Sequence, residues 1–571
     1  MKPTRCTPEM IEYYTNKGLW TSETWPDIYA RNAQLYPDRE AFVSYGRGER
    51  MAMTWAEVDQ AVNRLALGFL ELGLKKDDRV LCQLPSCIEN VLMRVSLEKA
   101  GLIHCYSPIN TWEVENNNFL SGLEAAAVAT VPEYHRRNHC QLFQQLHDSG
   151  RHPYLKHIFV IGDDIPPGAL SISKMIQTPI EKNYPPDFLD GKQVSAYDVA
   201  QVMTTTGSTG MPKMVEMTTN ANRAHGMVYL EKWQVSHDDI GFTTGFLWAG
   251  PTICALFVLP QVSGKIIVME TFEPGEALQI IEKEKPTYIT AFPSQIIDIT
   301  NHPDFNKYDK SSLRFFQTAG APFPKILIKE CEEKFQRPYM NGFGAVDSSM
   351  VFTTELNAPP EIRLNSIGKP SKWDEYKVVK EDGSLAKPGE VGILYWRGPG
   401  GTTGYYQNPE MTRKVWGTLG LDAWYNTEDA VMVGEDGNIS LVGRASDMIQ
   451  RGGQNIFPAE VENILSGHPK VSQSQLVAMP DIKLGEKACA FVIPKKGEVF
   501  IFNEMVTYLG EKQLAKYKHP ERLEIIDSFP MVGQKINKRA LSLQVCRKLL
   551  AEGKIPEKLA EDFQYKHKLL S

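Results

Sequence analysis

The sequence predicts an α/β protein with a large N-terminal domain of helix-covered, mostly parallel sheets, a small β-rich subdomain and a small C-terminal α+β domain. Three observations predict it. The 571 residues exceed what one hydrophobic core can organise. Amphipathic helices alternate with short apolar strands through the first two thirds of the chain. After about residue 370 the pattern changes to strands separated by Asp-Gly turns.

The alternation of helices and strands is clearest in two segments. Residues 54–57 form a capping box, and apolar side chains from Val58 to Leu72 then recur at the spacing of one helix face. Gly73 ends this helix, and residues 79–84 are predicted to form the next strand. The same order returns as a helix at 276–284 and a strand at 287–291. Repeated units of this kind favour a parallel sheet covered by helices.

The last third of the chain predicts two smaller units. Strands are expected at 376–379, 392–397 and 439–442, with turns at the Asp-Gly pairs that begin at Asp382 and Asp436. A further unit begins after Arg444, and Pro458 lies in the first turn of its helix. We therefore predict domains at residues 1–443 and 444–571, with the β-rich subdomain at about 370–443.

Composition and charge exclude several classes of function. The net charge of −7 and the pI near 6.0 argue against binding of nucleic acid. The nine cysteines are dispersed without zinc-site spacing, which is typical of reduced thiols in a cytoplasmic protein. Residues 240–264 carry no charge, but glycines and prolines interrupt them. Buried segments of a folded domain are therefore predicted there, without membrane insertion.

The most informative motif is the run at 205–213, Thr-Thr-Gly-Ser-Thr-Gly-Met-Pro-Lys. Gly207 and Gly210 allow a tight turn whose backbone N–H groups point inward, and Lys213 adds a cation. Pro212 and Met214 beside the lysine exclude the Walker A pattern. Such a loop suits the phosphates of a nucleotide, and a polar surface loop is the alternative. Hydroxyl donors come from Thr205, Thr206, Ser208 and Thr209.

This run resembles the phosphate loop of the AMP-forming adenylating enzymes, the superfamily of acyl-CoA synthetases, nonribosomal peptide adenylation domains and luciferases. The resemblance covers roughly residues 20–545 and implies binding of ATP. Residues 318–322 resemble the segment that lies against adenine, with an ordinary turn as the alternative. Residues 341–347 resemble the family's aromatic-Gly-x-Thr-Glu segment. The resemblance implies nucleotide contacts for Gly320, Ala321, Pro322, Asn341, Gly342, Phe343 and Gly344.

Two carboxylates receive roles from the resemblance. Asp347 stands where the family has glutamate, beside Val346 in place of threonine, and would hold Mg²⁺. Asp429 ends a stretch similar to the family's Trp-x-x-Thr-Gly-Asp and would accept hydrogen bonds from both ribose hydroxyls. Glu428 replaces the usual glycine there, and a turn-capping aspartate is the alternative reading of Asp429.

Residues 443–462 resemble the hinge that joins the large and small domains in this family, followed by its Gly-Gly loop. The resemblance implies that Arg444 reaches the ribose or the phosphates and that Ser446 is the pivot. It also implies that Gly452 and Gly453 let the backbone approach the pantetheine arm of a thiol substrate. The small C-terminal domain would therefore be mobile.

Residues 529–541 resemble the C-terminal segment that carries the catalytic lysine of the family. Gln534 stands where glycine normally precedes that lysine, and the gap from Pro530 is one residue short. Aligning the Lys-Ile-Asn-Lys segment makes Lys535 the catalytic cation, with Lys538 as the fallback. A basic surface strand is the alternative for either lysine alone.

The resemblance implies an ATP-dependent ligase that joins a carboxylic acid to AMP, releases pyrophosphate, and then forms a thioester with coenzyme A. It implies catalytic roles for Lys535, Asp347 and Thr209. Within this superfamily, the sequence most resembles aryl-acid and alicyclic acid ligases. Two alternatives are transfer to the phosphopantetheine thiol of a carrier protein and a catalytically weak sensor of nucleotide or acyl-adenylate. The oligomeric state stays open, with a homodimer among the possibilities.

The residues of the acid pocket are inferred from the positions that line this pocket in the resembled family. Its walls would be apolar, without the histidine-asparagine pair of hydroxybenzoate-activating relatives, which favours an aromatic, alicyclic, branched or medium-chain acyl group. Ordinary core packing is the alternative. The pocket residues are Phe246, Leu247, Trp248, Gly250, Gly320 and Gly344.

Overall fold

The computed structural model describes residues 1–204, 213–248, 250–321, 323–532, 535–567 and 569. Within these residues two eight-stranded sheets, a four-stranded sheet and a five-stranded C-terminal sheet form the framework. Helices cover the two large sheets, and the small sheets follow them along the chain. This arrangement confirms the predicted α/β architecture.

The first large sheet is parallel in its interior and antiparallel at its two edges. Its inner strands are buried on both faces, as Ile266, Ile267 and Val268 illustrate with exposures of 0%, 0% and 1%. Across the sheet the strands are Met350–Phe352, Tyr339–Ala345, Phe315–Ala319, Tyr288–Ala291, Ile240–Thr243, Lys265–Met269, Glu40–Gly46 and Glu49–Thr54.

The second large sheet flanks the predicted phosphate loop. Two antiparallel pairs at one edge are followed by parallel pairs. The predicted strand 79–84 is shorter in the structure and ends at Cys82, three residues before Pro85. Across the sheet the strands are Gly404–Tyr405, Met214–Thr218, Val199–Thr204, Ile103–Tyr106, Arg79–Cys82, Ala127–Thr130, His157–Val160 and Leu170–Ser171.

The predicted capping box is confirmed at the start of the helix Trp55–Glu71. The hydroxyl of Thr54 accepts the N–H of Glu57 at 3.3 Å, and the Glu57 carboxylate accepts the N–H of Thr54 at 2.8 Å. Gly73 follows with φ +82°. The other helices of the N-terminal region are Pro8–Asn16, Trp25–Leu35, Ile88–Lys99, Glu113–Leu123, His139–Asp148, Ile172–Gln177, Thr219–Trp233, Ile253–Leu256, Pro274–Glu284, Pro293–Thr300, Lys325–Phe335, Pro360–Asn365 and Pro409–Trp416.

The four-stranded sheet is antiparallel and contains the predicted strands of the β-rich subdomain. Its strands are Glu375–Val379, Val391–Arg397, Tyr425–Val433 and Ile439–Arg444, in that order. The predicted Asp-Gly turns are present, since Gly383 and Gly437 have φ of +83° and +79°.

Residues beyond Arg444 form their own hydrophobic cluster, in which Val461, Phe491 and Leu541 are fully buried. Its helices are Pro458–Leu465, Phe502–Glu511, Lys538–Ala551 and Glu557–Lys566. The sheet of this region consists of Ile449–Arg451, Gln454–Ile456, Val471–Asp481, Gly485–Pro494 and Arg522–Ile525. A separate pair of two-residue strands follows, Met531–Val532 with Lys535–Ile536. A similar small pair in the N-terminal region joins Glu133–Tyr134 to Arg137–Asn138.

The uncharged stretch at 240–264 folds as an inner strand of the first sheet, Ile240–Thr243, followed by short helical turns. Most of its described side chains are buried. In the described part of the chain, no helix combines the length and the apolar character that crossing a membrane requires.

Candidate functional site

The predicted phosphate loop joins two adjacent antiparallel strands, Val199–Thr204 and Met214–Thr218. Residues 205–212 lie outside the described residues, so the predictions for Thr205, Thr206, Gly207, Ser208, Thr209 and Gly210 remain predictions. Lys213, the last residue of the run, is described.

Lys213 and Asp347 form an ion pair. The Lys213 Nζ lies 2.9 Å from Oδ2 of Asp347, and the phenol of Tyr405 donates to the same oxygen at 2.9 Å. Burial raises the pKa of Tyr405, and the negative charge of Asp347 raises it further, so the phenol stays protonated and continues to donate. The structure thus joins the end of the predicted phosphate loop to the predicted metal ligand. Tyr405 was not among the predicted site residues.

The backbone around Asp347 is held by a neighbouring loop. Asp347 lies in the turn between Tyr339–Ala345 and Met350–Phe352, where its carbonyl accepts the Thr402 hydroxyl at 2.7 Å. The N–H of Thr402 donates to the Ser348 carbonyl at 2.9 Å. Tyr405 follows three residues later, so one loop positions both the backbone and the carboxylate of Asp347.

Asp347 has the chemistry of a magnesium ligand, because Mg²⁺ prefers carboxylate oxygens and commonly takes its remaining ligands from substrate phosphates and water. Its side chain is 20% exposed and therefore accessible. No cluster of three or more His, Cys, Asp or Glu suited to a metal ion occurs among the residues that the structure covers. A metal held by one protein carboxylate together with a nucleotide fits these residues.

Asp429 and Arg444 are cross-strand neighbours in the four-stranded sheet. Arg444 Nε lies 2.8 Å from Asp429 Oδ1, and the side chains are 48% and 6% exposed. The hydroxyl of Thr427 accepts the N–H of Asp429 at 3.0 Å and donates to the Leu394 carbonyl at 2.8 Å, which holds the strand at this point. The structure therefore brings together the residues predicted to bind ribose and to reach ribose or phosphates.

The two segments predicted to contact adenine are adjacent parallel strands. Thr318 pairs with Asn341 and Ala319 with Gly342. A Cβ on Gly342 would lie 2.2 Å from the Gln317 side-chain nitrogen, so a larger residue at this position would require the Gln317 side chain to move. Phe343 and Gly344 continue the second strand, Gly320 and Ala321 follow the first, and Pro322 lies outside the described residues.

Three glycines surround the half-buried ring of Phe292. A Cβ on Gly245, Gly250 or Gly320 would lie 3.0, 3.2 or 2.9 Å from a carbon of this ring. Two of them were predicted pocket residues, whereas Phe292 was missed. A signal was present, because Phe292 directly follows the strand Tyr288–Ala291, and ligands of parallel sheets bind at the carboxyl ends of strands.

Leu247 and Trp248 are hydrogen-bonded to the helix Ile88–Lys99 and to the turn before it. The N–H of Leu247 donates to the Ser86 hydroxyl at 3.2 Å, and the indole N–H of Trp248 donates to Asn90 at 2.8 Å. Both side chains are buried, and Trp248 has φ +64°, a strained conformation for a bulky residue. Phe246 beside them is only partly buried.

The two candidate lysines of the C-terminal region have different positions. Lys535 begins the strand Lys535–Ile536, and its side chain lies outside what the structure describes. Lys538 begins the helix Lys538–Ala551, and its Nζ lies 2.7 Å from the Glu462 carboxylate. Lys538 is thus paired within the C-terminal region, and the catalytic role of Lys535 stays a prediction.

The predicted hinge and thiol-loop residues lie on turns. Ser446 is in the single turn Ala445–Asp447, which connects the four-stranded sheet to the C-terminal residues. Gly452 and Gly453 have φ of +55° and +82° and form a two-residue turn between Ile449–Arg451 and Gln454–Ile456. A Cβ on Gly452 would lie 2.8 Å from a methyl carbon of Leu484.

Comparison with known proteins agrees with this geometry. The profile of the AMP-binding enzyme family matches residues 29–406, and that of the AMP-binding enzyme C-terminal domain matches residues 460–535. The 2,3-dihydroxybenzoate-AMP ligase of Bacillus subtilis is 31% identical over 560 residues, which cover 95% of this chain and 97% of the relative. The medium-chain fatty-acid–CoA ligase of Escherichia coli is 28% identical, with coverage of 94% and 93%.

The fold also matches solved structures. The anthranilate CoA ligase AuaEII, solved in complex with anthranoyl-AMP, superposes with a TM-score of 0.80 at 24% identity, and the match covers 94% of this chain and 98% of that chain. At this identity the likeness concerns the fold.

Proposed function

The chain belongs to the family of AMP-binding enzymes, which are adenylate-forming acid ligases, and from that premise we propose that it converts a carboxylic acid into its coenzyme A thioester. In the first step the carboxylate attacks the α-phosphate of ATP, which forms the acyl-adenylate and releases pyrophosphate. In the second step the CoA thiol attacks the acyl carbon, which forms the thioester and releases AMP. The observation that supports this most directly is the Lys213–Asp347 ion pair, because it unites the predicted phosphate loop with the predicted metal ligand.

Adenylation needs charge stabilisation, because the acid's carboxylate attacks a phosphate that is itself negative. In the proposal, Asp347 would hold Mg²⁺, and the bound ion would supply positive charge beside the phosphates of ATP. The loop at 205–213 holds the phosphates through its N–H groups, its hydroxyls and Lys213. Thr209 donates to a phosphate oxygen, and Asp429 accepts hydrogen bonds from both ribose hydroxyls. Arg444 reaches the ribose or the phosphates.

Lys535 is the proposed catalytic cation of the first step. It lies in the C-terminal region, and the proposed boundary between the two domains is at 443–444, with Ser446 as the hinge. Rotation there would bring Lys535 to the acid and the α-phosphate for adenylation. A further rotation would then move the lysine away and bring the turn at Gly452 and Gly453 up to the pantetheine arm of CoA.

The proposed acyl group is aromatic or alicyclic, with a medium-chain acid as the next choice. Gly245, Gly250 and Gly320 keep side chains away from the half-buried ring of Phe292, and in the proposal the acyl group packs against this ring. A planar ring packs on an aromatic ring better than a flexible chain, because aromatic pairs gain about 0.5–1.5 kcal/mol beyond buried area.

Acid-dependent exchange of labelled pyrophosphate into ATP tests the first step without any assumption about the thiol. We expect exchange with at least one member of a panel of benzoates, cyclohexanecarboxylates and C6–C10 fatty acids. No exchange with any of them would overturn the proposal. CoA and a phosphopantetheine-loaded carrier protein are then offered as acceptors, and thioester formed only on the carrier would correct the second step.

Lys535→Ala separates an enzyme from a non-catalytic binder. We expect exchange to fall by about 10²–10³-fold, the loss typical of one preorganised charge-stabilising group, while ATP binding measured by calorimetry is kept. Lys538→Ala is the matched control, because Lys538 is paired with Glu462. The larger loss in Lys538→Ala would move the catalytic role to that lysine.

A further inference from the structure

A ladder of polar residues accompanies the helix Ile88–Lys99. The four residues recur at every fourth position and therefore share one side of the helix and of the turn before it. All are buried, which is unusual for a polar stripe, and the first two hold the proposed acid-pocket segment through Gly245, Leu247 and Trp248. The four are Ser86, Asn90, Arg94 and Glu98, with exposures of 2%, 1%, 1% and 0%.

Arg94, one helical turn after Asn90, uses only part of its hydrogen-bonding capacity. Its Nη1 donates to Glu98, whose Oε1 also accepts the backbone N–H of Trp25 at 3.1 Å and the hydroxyl of Thr219 at 2.7 Å. Among the described residues, Nε and Nη2 of Arg94 have no hydrogen-bond partner. Glu98 balances the charge of the guanidinium, and open N–H donors remain.

His104 supplies a further donor at the same place. The side-chain oxygen of Gln201 accepts from Asn222 at 3.1 Å, so the Gln201 amide nitrogen faces His104 Nδ1 at 3.3 Å and donates to it. Burial and the positive charge of Arg94 lower the pKa of His104, so its ring is neutral and carries its proton on Nε2. That nitrogen has no partner within the described part of the chain.

The residues that carry these donors are close to Trp248, a predicted pocket residue. The ring centroid of His104 is 5.5 Å from that of Trp248, and the Trp248 indole is bonded to Asn90, the neighbour of Arg94 on the ladder. Trp248 is held at φ +64° two residues before the predicted pocket glycine Gly250. Trp248 therefore links the predicted pocket segment to the residues that carry the unsatisfied donors.

We propose that Arg94 and His104 form a polar subsite next to Trp248 that binds a neutral carbonyl oxygen at the far end of the carboxylic acid substrate. This rests on the proposed function. The open groups are N–H donors, so the ligand must accept hydrogen bonds. A second carboxylate is disfavoured, because Glu98 already neutralises Arg94 and an added negative charge would be buried without a counter-charge. A ketone, aldehyde or amide oxygen meets both conditions.

The test compares acids that differ only in this oxygen. We expect the wild-type kcat/KM for pyrophosphate exchange to favour 3- or 4-formylbenzoate over the methylbenzoate of the same substitution by about 10- to 100-fold, as hydrogen bonds to a charged donor predict. Arg94→Met should bring this ratio near one, and His104→Phe, which keeps a ring against Trp248, should reduce it.

Arg5→Met is the matched control, because Arg5 is another buried arginine, 2% exposed, that bonds to the Thr402 carbonyl. It should change the rates with both acids together and leave their ratio as in the wild type. A wild-type ratio near one at both ring positions, or a ratio unchanged in Arg94→Met, would overturn the subsite.

Ligand-induced shifts in melting temperature distinguish this inference from the proposed function. We expect the formylbenzoate to raise the melting temperature of the wild type more than the methylbenzoate does, and Arg94→Met to remove the difference. If no acid supported pyrophosphate exchange, the proposed function would be refuted. The melting data would still decide whether the subsite exists. Equal shifts for the two acids in the wild type would count against the subsite.

Discussion

At the scale of single residues, the proposed Mg²⁺ ligand Asp347 has its carboxylate held by two neighbours. Lys213 and Tyr405 both contact its Oδ2, so the side chain is oriented before any ligand arrives. Asp347→Asn keeps the shape but removes the charge. We expect pyrophosphate exchange to fall by about 10²–10³-fold and the Mg²⁺ concentration for half-maximal rate to rise. Titration of the exchange rate with Mg²⁺ measures both effects.

Asp382→Asn is the control for this substitution, since Asp382 is an exposed aspartate in a turn of the four-stranded sheet region, bonded to Ser384. Its exchange rate and Mg²⁺ requirement should equal those of the wild type. An Asp347→Asn variant with the wild-type Mg²⁺ requirement would remove the metal from the proposed role of this residue.

Glu428 occupies a backbone conformation that explains why the family has glycine there. Its φ is +58°, in the left-handed region that costs a residue with a Cβ about 1 kcal/mol or more. We expect Glu428→Gly to raise the free energy of unfolding by about 1 kcal/mol and Glu428→Val to lower it by at least that amount. Urea denaturation of the three proteins gives these values, and equal stability of the glycine and valine variants would refute the explanation.

At the scale of elements, the segments that end at Gly245, Gly250 and Gly320 meet at the ring of Phe292. The Cβ of Gly320→Ala would lie 2.9 Å from that ring, at a position with φ +86°. We expect this variant to lose about 2–4 kcal/mol of stability, from contact and backbone strain together. In the double variant with Phe292→Ala the contact part should disappear, giving a coupling energy of about 1 kcal/mol or more by denaturant titration.

Gly383→Ala isolates the backbone part of that cost. Gly383 has φ +83°, nearly that of Gly320, and none of the described atoms would lie within 4 Å of an added Cβ. Its loss of stability should be about 1 kcal/mol and should add to that of Phe292→Ala without coupling. Equal losses for the alanines at 320 and 383 would show that the ring does not restrict the space around Gly320.

At the scale of the whole molecule, the parts that could be predicted from sequence are those encoded locally. The capping box at Thr54 and the Asp-Gly turns at Asp382 and Asp436 depend on neighbouring residues, and the structure has them as predicted. The pairing of Arg444 with Asp429 depends on strand register, and the approach of three glycines to Phe292 depends on three segments converging. Neither leaves a local pattern.

The polar ladder from Ser86 to Glu98 is an intermediate case. Its four-residue spacing is visible in the sequence, but the same spacing describes an ordinary solvated helix face. Only burial distinguishes the two, and burial of this helix follows from its packing in the interior of the N-terminal region. The apolar wall inferred for the acid pocket stays a prediction, and the 5.5 Å approach of the His104 ring to the Trp248 ring is a tertiary contact that leaves no local pattern.

The N-terminus is attached to the second sheet through a buried carboxylate, and this makes stability depend on pH. Glu216 is 2% exposed and accepts the N–H and hydroxyl of Thr4 at 2.8 and 2.9 Å. Burial outweighs these bonds and raises the pKa of Glu216 from 4.5 to about 7. The folded protein therefore binds more protons than the unfolded chain between these values. The contribution of Glu216 to stability is greatest below pH 4.5 and falls as the pH rises to about 7.

Glu216→Gln removes this titration and keeps the shape of the side chain. The free energy of unfolding of the variant minus that of the wild type should increase from pH 4.5 to pH 7.5 by on the order of 3 kcal/mol. Urea titrations at the two pH values measure it, and Glu381→Gln, at an exposed glutamate, should give the same difference at both. A pH-independent difference for Glu216→Gln would mean that this carboxylate is ionised in the folded protein throughout, with Thr4 outweighing the cost of burial.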